Sequence, residues 1–191
     1  MRPDQAHWKP PIISLGLRLS VEKALSELDA HPELWNQHTL RTERYQTPHK
    51  AVSDIWVRYN DFANLEADPI AFTQMPHISV WYPCIEVIPA VKELAEFVFG
   101  YVNGKTLGGV LITKIPPGGE VLPHIDGGWH ASHYEKFAVQ LKGNKDQGFY
   151  FEDGQLHPEP GEVYTFDNSR LHWVKNDSDE DRITLIICVR R

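Results

Sequence analysis

Two histidines and one aspartate in this chain have the types and spacing to hold a metal ion. Pro123-His124-Ile125-Asp126-Gly127-Gly128 sets an imidazole and a carboxylate two positions apart, and Asn168-Ser169-Arg170-Leu171-His172 supplies a second imidazole at long range. On a strand, side chains at i and i+2 point to the same side, so His124 and Asp126 can reach one ion. Two imidazoles and a carboxylate on one face of Fe(II) leave other coordination positions open for a cosubstrate and O2. Arg182, ten residues beyond His172, opens the apolar run Ile183-Thr184-Leu185-Ile186-Ile187-Cys188-Val189. A guanidinium there suits a dicarboxylate: the metal chelates the 2-oxo acid end and Arg182 takes the far carboxylate with a bidentate fork. A divalent ion with one carboxylate nets a single positive charge, and Arg182 adds another. Together they nearly neutralise a dianion whose desolvation is otherwise costly. An isolated His-x-Asp is weak evidence, since ten histidines in 191 residues give such pairs by chance and each alone reads as a solvated or core imidazole. The pair, a later histidine after a Gly-bounded strand, and the arginine are hard to obtain together by accident.

The elements that position these residues follow from periodicity and turn signals. Residues 12–19 alternate enough for a first strand. Ser20 reads as the N-cap of an amphipathic helix over 20–28, with apolar residues at 21, 24, 25 and 28 and an end before Pro32. Residues 34–48 are polar and irregular, 54–59 read as a strand, 60–76 as loop with a short helical turn, and 78–82 as a short strand. A second helix is predicted over 88–101, with Pro89 in its first turn and Gly100 near its end. From 107 onward short strands alternate with turns: 109–115, 121–126, 136–141, 148–152, 161–167, 172–176 and 182–190, with a hairpin signal at Asp153-Gly154. Two helices ahead of about eight short strands predict a mainly β (α+β) fold, a double-stranded β-helix or cupin-like jelly roll. The helices are expected on one outer sheet, and the ligands in the barrel mouth. An acidic turn, Asp177-Ser178-Asp179-Glu180-Asp181, joins the strands of His172 and Arg182. Antiparallel pairing of those two strands is expected to set both side chains on one barrel face. The chain reads as a single domain over 1–191, with 1–106 flanking a catalytic core at 107–191.

Composition narrows the function classes. With 19 basic and 26 acidic residues the net charge is −7 and no basic tract stands out, which disfavours a nucleic-acid partner. No apolar run approaches the roughly 20 residues a membrane helix needs, and residues 1–11, a Pro-rich arm, lack the apolar stretch of a signal peptide. Only Cys84 and Cys188 occur, so a disulfide scaffold is not expected and a cytoplasmic location is the simplest. Asn176-Asp177-Ser178 matches a glycosylation sequon but reads as a turn. Residues 100–106 come within one residue of a phosphate loop, yet they follow a helix rather than a strand and are rejected as one.

Residues 107–190 resemble the aspartyl/asparaginyl β-hydroxylase family of Fe(II)/2-oxoglutarate oxygenases. The segments that carry the resemblance are IPPGGEVLPHIDGG and GEVYTFDNSRLHWVKNDSDEDRITLII. The family's G-x-V-x-x-F-D-[DN]-S-x-x-H core is matched at Gly161, Val163, Phe166, Asp167, Asn168, Ser169 and His172. The resemblance implies His124, Asp126 and His172 as catalytic metal ligands and Arg182 as the 2-oxoglutarate arginine. It implies Thr113 as a hydroxyl helping to hold the same distal carboxylate, and Lys136 at a position where the family often has an arginine near the cosubstrate. Ala138 stands where the family has a histidine, a departure at the inner end of the cosubstrate site. Some members lack the acidic ligand; this chain has Asp126. The implied reaction couples oxidative decarboxylation of 2-oxoglutarate by O2 to C–H hydroxylation, giving succinate and CO2, with ascorbate as a reductant.

Other residues compete for roles. His130 and His133 could be alternative ligands, but Gly127-Gly128 and the polar run after them read as a mobile lid. Trp129 is a candidate substrate contact or a cover for the barrel rim. Arg41 and Arg44 read as solvated charge, whereas Arg58, in an apolar strand, is a candidate for a substrate carboxylate. The expected substrate is a small molecule or peptide, a polar amino acid free or within a short chain. A cupin-type metalloenzyme without 2-oxoglutarate and a catalytically silent metal-binding barrel are the rival classes. Arg182 and Thr113 argue against the first, and the intact triad against the second.

Overall fold

The computed structural model describes residues 10–191 of the chain; most of the Pro-rich arm expected at its start, residues 1–9, lies outside them. The described residues form two sheets facing each other. The larger runs in the order β1 (Ile12–Arg18), β9 (Glu162–Phe166), β6 (Glu135–Lys142), β11 (Arg182–Arg190), β4 (Thr106–Ile115), β2 (Ser53–Tyr59) and β3 (Val80–Trp81). The smaller runs β5 (Glu120–His124), β10 (His172–Asn176), β7 (Gln147–Phe151) and β8 (Gly154–Leu156). All pairings are antiparallel. This is the expected jelly roll.

The core lies in two layers because the large-sheet strands alternate. On β11, Ile183, Leu185, Ile187 and Val189 face outward onto two helices, α1 (Glu22–Ala30) and α4 (Pro89–Tyr101). Arg182, Thr184, Ile186 and Cys188 face the other sheet and line the cavity between them. β6 repeats the pattern: Phe137, Val139 and Leu141 join the helix layer, while Ala138 joins an inter-sheet core with Phe149, Tyr164, Phe166 and Val174. A period of two thus assigns one strand face to stability and the other to the site.

One glycine is obligatory. Gly161 opens β9 with φ +81°, and a Cβ there would stand 2.2 Å from the Leu19 carbonyl oxygen. Its N–H donates to Gln140 O and its carbonyl accepts from Leu19 N, which ties β9 to both neighbours.

Several expectations need correction. β10 and β11 do not pair: β10 lies between β5 and β7, and β11 between β4 and β6, so His172 and Arg182 enter the cavity from opposite sheets. The acidic turn is a crossover between sheets rather than a hairpin. Ser20 does not cap α1; Val21 holds that position without a side-chain bond, and the Ser20 hydroxyl donates instead to the Glu22 carboxylate. The loop read over 60–76 holds two helices, α2 (Phe62–Ala67) and α3 (Pro69–Gln74), capped by the carboxylates of Asp61 and Asp68. Residues 128–133, read as part of a mobile lid, form a short helix, α5 (Gly128–His133), whose His130 is buried. Asn176, read as part of a turn, is instead the last residue of β10: it is fully buried, its amide nitrogen donates to the carbonyls of Ile115, Pro116 and Glu180, and its Oδ1 accepts from Ser178 in the bend that follows.

Candidate metal and cosubstrate site

β5 and β10 bring the three candidate ligands together. His172 pairs with His124, and Val174 with Val121, so β10 advances two residues while β5 advances three. The extra residue is a bulge, and it contains Pro123, which has no N–H to give to the ladder. The bulge decides which way His124 points. Without it, Val121 and His124 would lie on opposite faces; with it, both line the cavity. Asp126 lies beyond the end of β5, so the strand periodicity expected to aim it stops short of it. Its position comes instead from its backbone N–H, which donates to Asn168 O at 3.0 Å.

One donor atom from each of His124, Asp126 and His172 lies within 4.8 Å of the other two. Both imidazoles are oriented by the same device. Nδ1 of His124 meets Leu122 O at 2.8 Å, and Nδ1 of His172 meets Arg170 O at 2.8 Å. A carbonyl can only accept, so each Nδ1 carries the proton and each Nε2 presents a lone pair. His124 Nε2 lies 3.4 Å from Asp126 Oδ1. Burial depresses the His172 pKa, favouring the neutral, ligating form. Burial opposes ionisation of Asp126, but nearby positive charge, Lys136 first, favours it, and the carboxyl lies below its usual range. Two imidazole nitrogens and one carboxylate converging from the mouth of a barrel match the donor set expected for Fe(II).

The triad opens onto a cavity of about 300 Å³, whose far wall is the inner face of the large sheet. Arg182 is the largest fully buried side chain among the described residues. Its guanidinium donates to Thr184 Oγ1 at 2.6 Å and Tyr164 Oη at 3.2 Å, and its Nε has no partner. All these partners are neutral, so no carboxylate of the described residues pairs with its charge. Thr113, cross-strand from Thr184, lines the same wall. Lys136 lies further along, with Nζ 3.3 Å from Cys188 Sγ. Burial works against its charge, but Cys188 and Asp126 prevail and raise its pKa. Ala138, at the position of the family's histidine, is buried among apolar side chains.

The remaining candidates separate. Arg58 lines the cavity, but one N–H reaches Leu107 O at 3.2 Å and its guanidinium lies over the Trp81 ring at 5.1 Å. Trp129 is not among the lining residues; it stacks on His133 from α5. His130 lines the cavity, yet its Nε2 accepts from the Gly109 N–H, and neither it nor His133 belongs to the metal-ligand group. Arg44 lines the rim.

Sequence reasoning missed three residues. Arg41 is not solvated: it grips the buried carboxylate of Asp54 with Nε at 2.8 Å and one terminal nitrogen at 2.6 Å. The same guanidinium reaches His49 Nδ1 at 2.8 Å and Thr113 Oγ1 at 3.2 Å. His49 in turn abuts His124, ring centroids 4.7 Å apart and nearly perpendicular. Burial, reinforced by the Arg41 charge, pushes the His49 pKa down to about 2. Asp54 sits in an alternating strand, where a carboxylate on the buried face was the available signal; nothing in the irregular 34–48 stretch pointed to Arg41 as its partner.

Solved structures of similar fold share little sequence with the chain. A Trichoplax adhaerens prolyl hydroxylase, in complex with a hypoxia inducible factor oxygen degradation domain peptide fragment, has a TM-score of 0.64 at 12% identity, over 95% of this chain and 84% of that one. A Pseudomonas putida prolyl-4-hydroxylase gives 0.54 at 14% identity, over 96% and 94%. An oxidoreductase of the 2OG-Fe(II) oxygenase family from Burkholderia pseudomallei gives 0.54 at 12% identity, over 87% and 82%. At these identities the likeness establishes the fold. A comparison with curated proteins returns no match. The family profile described as Aspartyl/Asparaginyl beta-hydroxylase covers residues 83–191, more than half of the sequence and all of the strands that carry the triad and Arg182, and the chain belongs to that family.

Proposed function

We propose that the protein is an Fe(II)- and 2-oxoglutarate-dependent dioxygenase that hydroxylates a C–H bond on an amino acid or short peptide. The balanced reaction is 2-oxoglutarate, O2 and R–H to succinate, CO2 and R–OH. The observation that carries this reading is Arg182. Burying a guanidinium against neutral partners alone is unfavourable, and the cavity that holds it also holds three converging metal ligands. A ligand with one chelating end and one distal carboxylate satisfies both. Fe(II), when bound, supplies the redox chemistry toward O2.

The chain's own residues divide the remaining work. His124, Asp126 and His172 hold the metal, with both Nδ1 protons directed to backbone carbonyls. Arg182 and Thr113 bind the distal carboxylate, and Lys136 adds positive charge near the chelating end. Asp126 occupies the position a halide would need, which supports hydroxylation over halogenation. Arg58, with donors left over, is the candidate contact for a substrate carboxylate, and Trp129 for the rim. The test is incubation with Fe(II), 2-oxoglutarate and ascorbate under air against free amino acids, short Asp- and Asn-containing peptides and oligonucleotides. A product heavier by one oxygen is expected from an amino acid or peptide. Product from an oligonucleotide alone overturns the substrate assignment.

A further inference from the structure

The Asp54–Arg41–His49 chain lies outside the family-matched residues yet reaches two side chains of the cavity wall. Asp54 is buried, and its carboxylate takes a two-point grip on Arg41. Of the five guanidinium N–H groups, two go to Asp54, one to His49 Nδ1 and one to Thr113 Oγ1. Arg41 therefore has one N–H left, and its charge is already matched by Asp54. It is poorly placed to be the anion receptor itself.

Its effect on its neighbours is directional. A guanidinium has no acceptor, so both His49 Nδ1 and Thr113 Oγ1 must accept from it. His49 is then fixed as the tautomer with its proton on Nε2, and the Thr113 hydroxyl proton is left to be donated elsewhere. Among the described residues no hydrogen bond engages His49 Nε2, and both residues line the cavity. They stand along the path between His124, which His49 touches, and the wall where Thr113 faces Thr184. We propose that Asp54 and Arg41 form a positioning pair that presents His49 Nε2–H and the Thr113 hydroxyl as donors to the bound 2-oxoglutarate. A carboxylate is acceptor-only, so a site whose donor polarity is set in advance need not reorganise to receive one. This rests on the cosubstrate assignment above.

Two measurements test it on the full-length protein. The first is the ring-nitrogen NMR spectrum of His49, which distinguishes protonated from bare nitrogens. The Nε2–H tautomer is expected in the wild type, and a tautomer mixture in the Arg41→Ala/Asp54→Ala double variant, which removes both charges and so avoids a buried unpaired carboxylate. The second is anaerobic calorimetry of 2-oxoglutarate on Mn(II)-loaded protein. His49→Phe is expected to weaken 2-oxoglutarate binding by about tenfold, the low end for a hydrogen bond to a charged group, with Mn(II) affinity retained. His49→Gln, which can accept from Arg41 and donate onward, is expected to recover most of that loss. A wild-type protein that binds no 2-oxoglutarate removes the cosubstrate assignment itself. A wild type that binds it, with equal affinity in His49→Phe and the double variant, or a His49 protonated on Nδ1, overturns the positioning role alone.

Discussion

At the scale of single residues, the site is held at some cost to the fold. Arg182 buries a charge against hydroxyls alone. Replacing it with methionine, of similar reach and no charge, is therefore expected to leave the protein as stable or more stable, read as the denaturation midpoint. The same change is expected to raise the KM for 2-oxoglutarate by roughly 30- to 1000-fold, from loss of a charge-assisted pair of about 2–4 kcal/mol, and to spare metal affinity. A lower midpoint with unaltered KM would make Arg182 a structural residue. Asp126→Gly is expected to abolish or severely weaken hydroxylation. Chloride added to the wild type is expected to give no chlorinated product by mass spectrometry.

At the scale of elements, the bulge in β5 does what the strand pattern alone cannot. His124 faces the metal site because one extra residue around Pro123 shifts the parity of the strand. Deleting Pro123 removes the extra residue and leaves His124 two positions from Val121, the regular spacing for one strand face, so His124 is expected to keep facing the cavity. Metal affinity, read by calorimetry, should then stay far above that of His124→Ala, while the far-ultraviolet circular dichroism stays that of the wild type. A loss of metal binding as complete as in His124→Ala would mean that the local geometry of the bulge, and not strand parity, aims the histidine. This element also marks where the sequence is legible. The short strands and turn signals from β4 to β11, after two helices, identified the jelly roll, because strand length and turn chemistry are local properties. The His-x-Asp spacing brought the right residues to notice, but through an assumed straight strand that ends at His124. The pairing of β10 with β5 and β7, and the reach of Arg41 to Asp54, depend on contacts distant in sequence that no local period encodes.

At the scale of the whole molecule, the segment ahead of the family-matched strands is part of the working structure. β2 extends the large sheet beside β4, α1 packs with α4 over its outer face, and Arg41 and His49 line the cavity, with Arg41 held from behind by Asp54. Residues 107–191 alone expose the apolar outer faces of β6 and β11. That fragment is expected to be insoluble or to lack cooperative unfolding, unlike the full chain. The interior binding site also couples ligand to global stability. Saturation of the metal-loaded protein with 2-oxoglutarate at 100-fold over Kd should add about 2.7 kcal/mol, a rise on the order of 5–10 °C in the denaturation midpoint for a chain of this size. The most direct measurement is succinate formation from 2-oxoglutarate under air with Fe(II), comparing wild type with His172→Ala and Arg182→Met. Succinate from the wild type, none above background from His172→Ala, and activity from Arg182→Met recovered only at greatly raised 2-oxoglutarate are the expected results. Equal succinate from all three proteins, or none from a wild type shown to hold Fe(II), would contradict assignment of this cavity as a 2-oxoglutarate-dependent iron site.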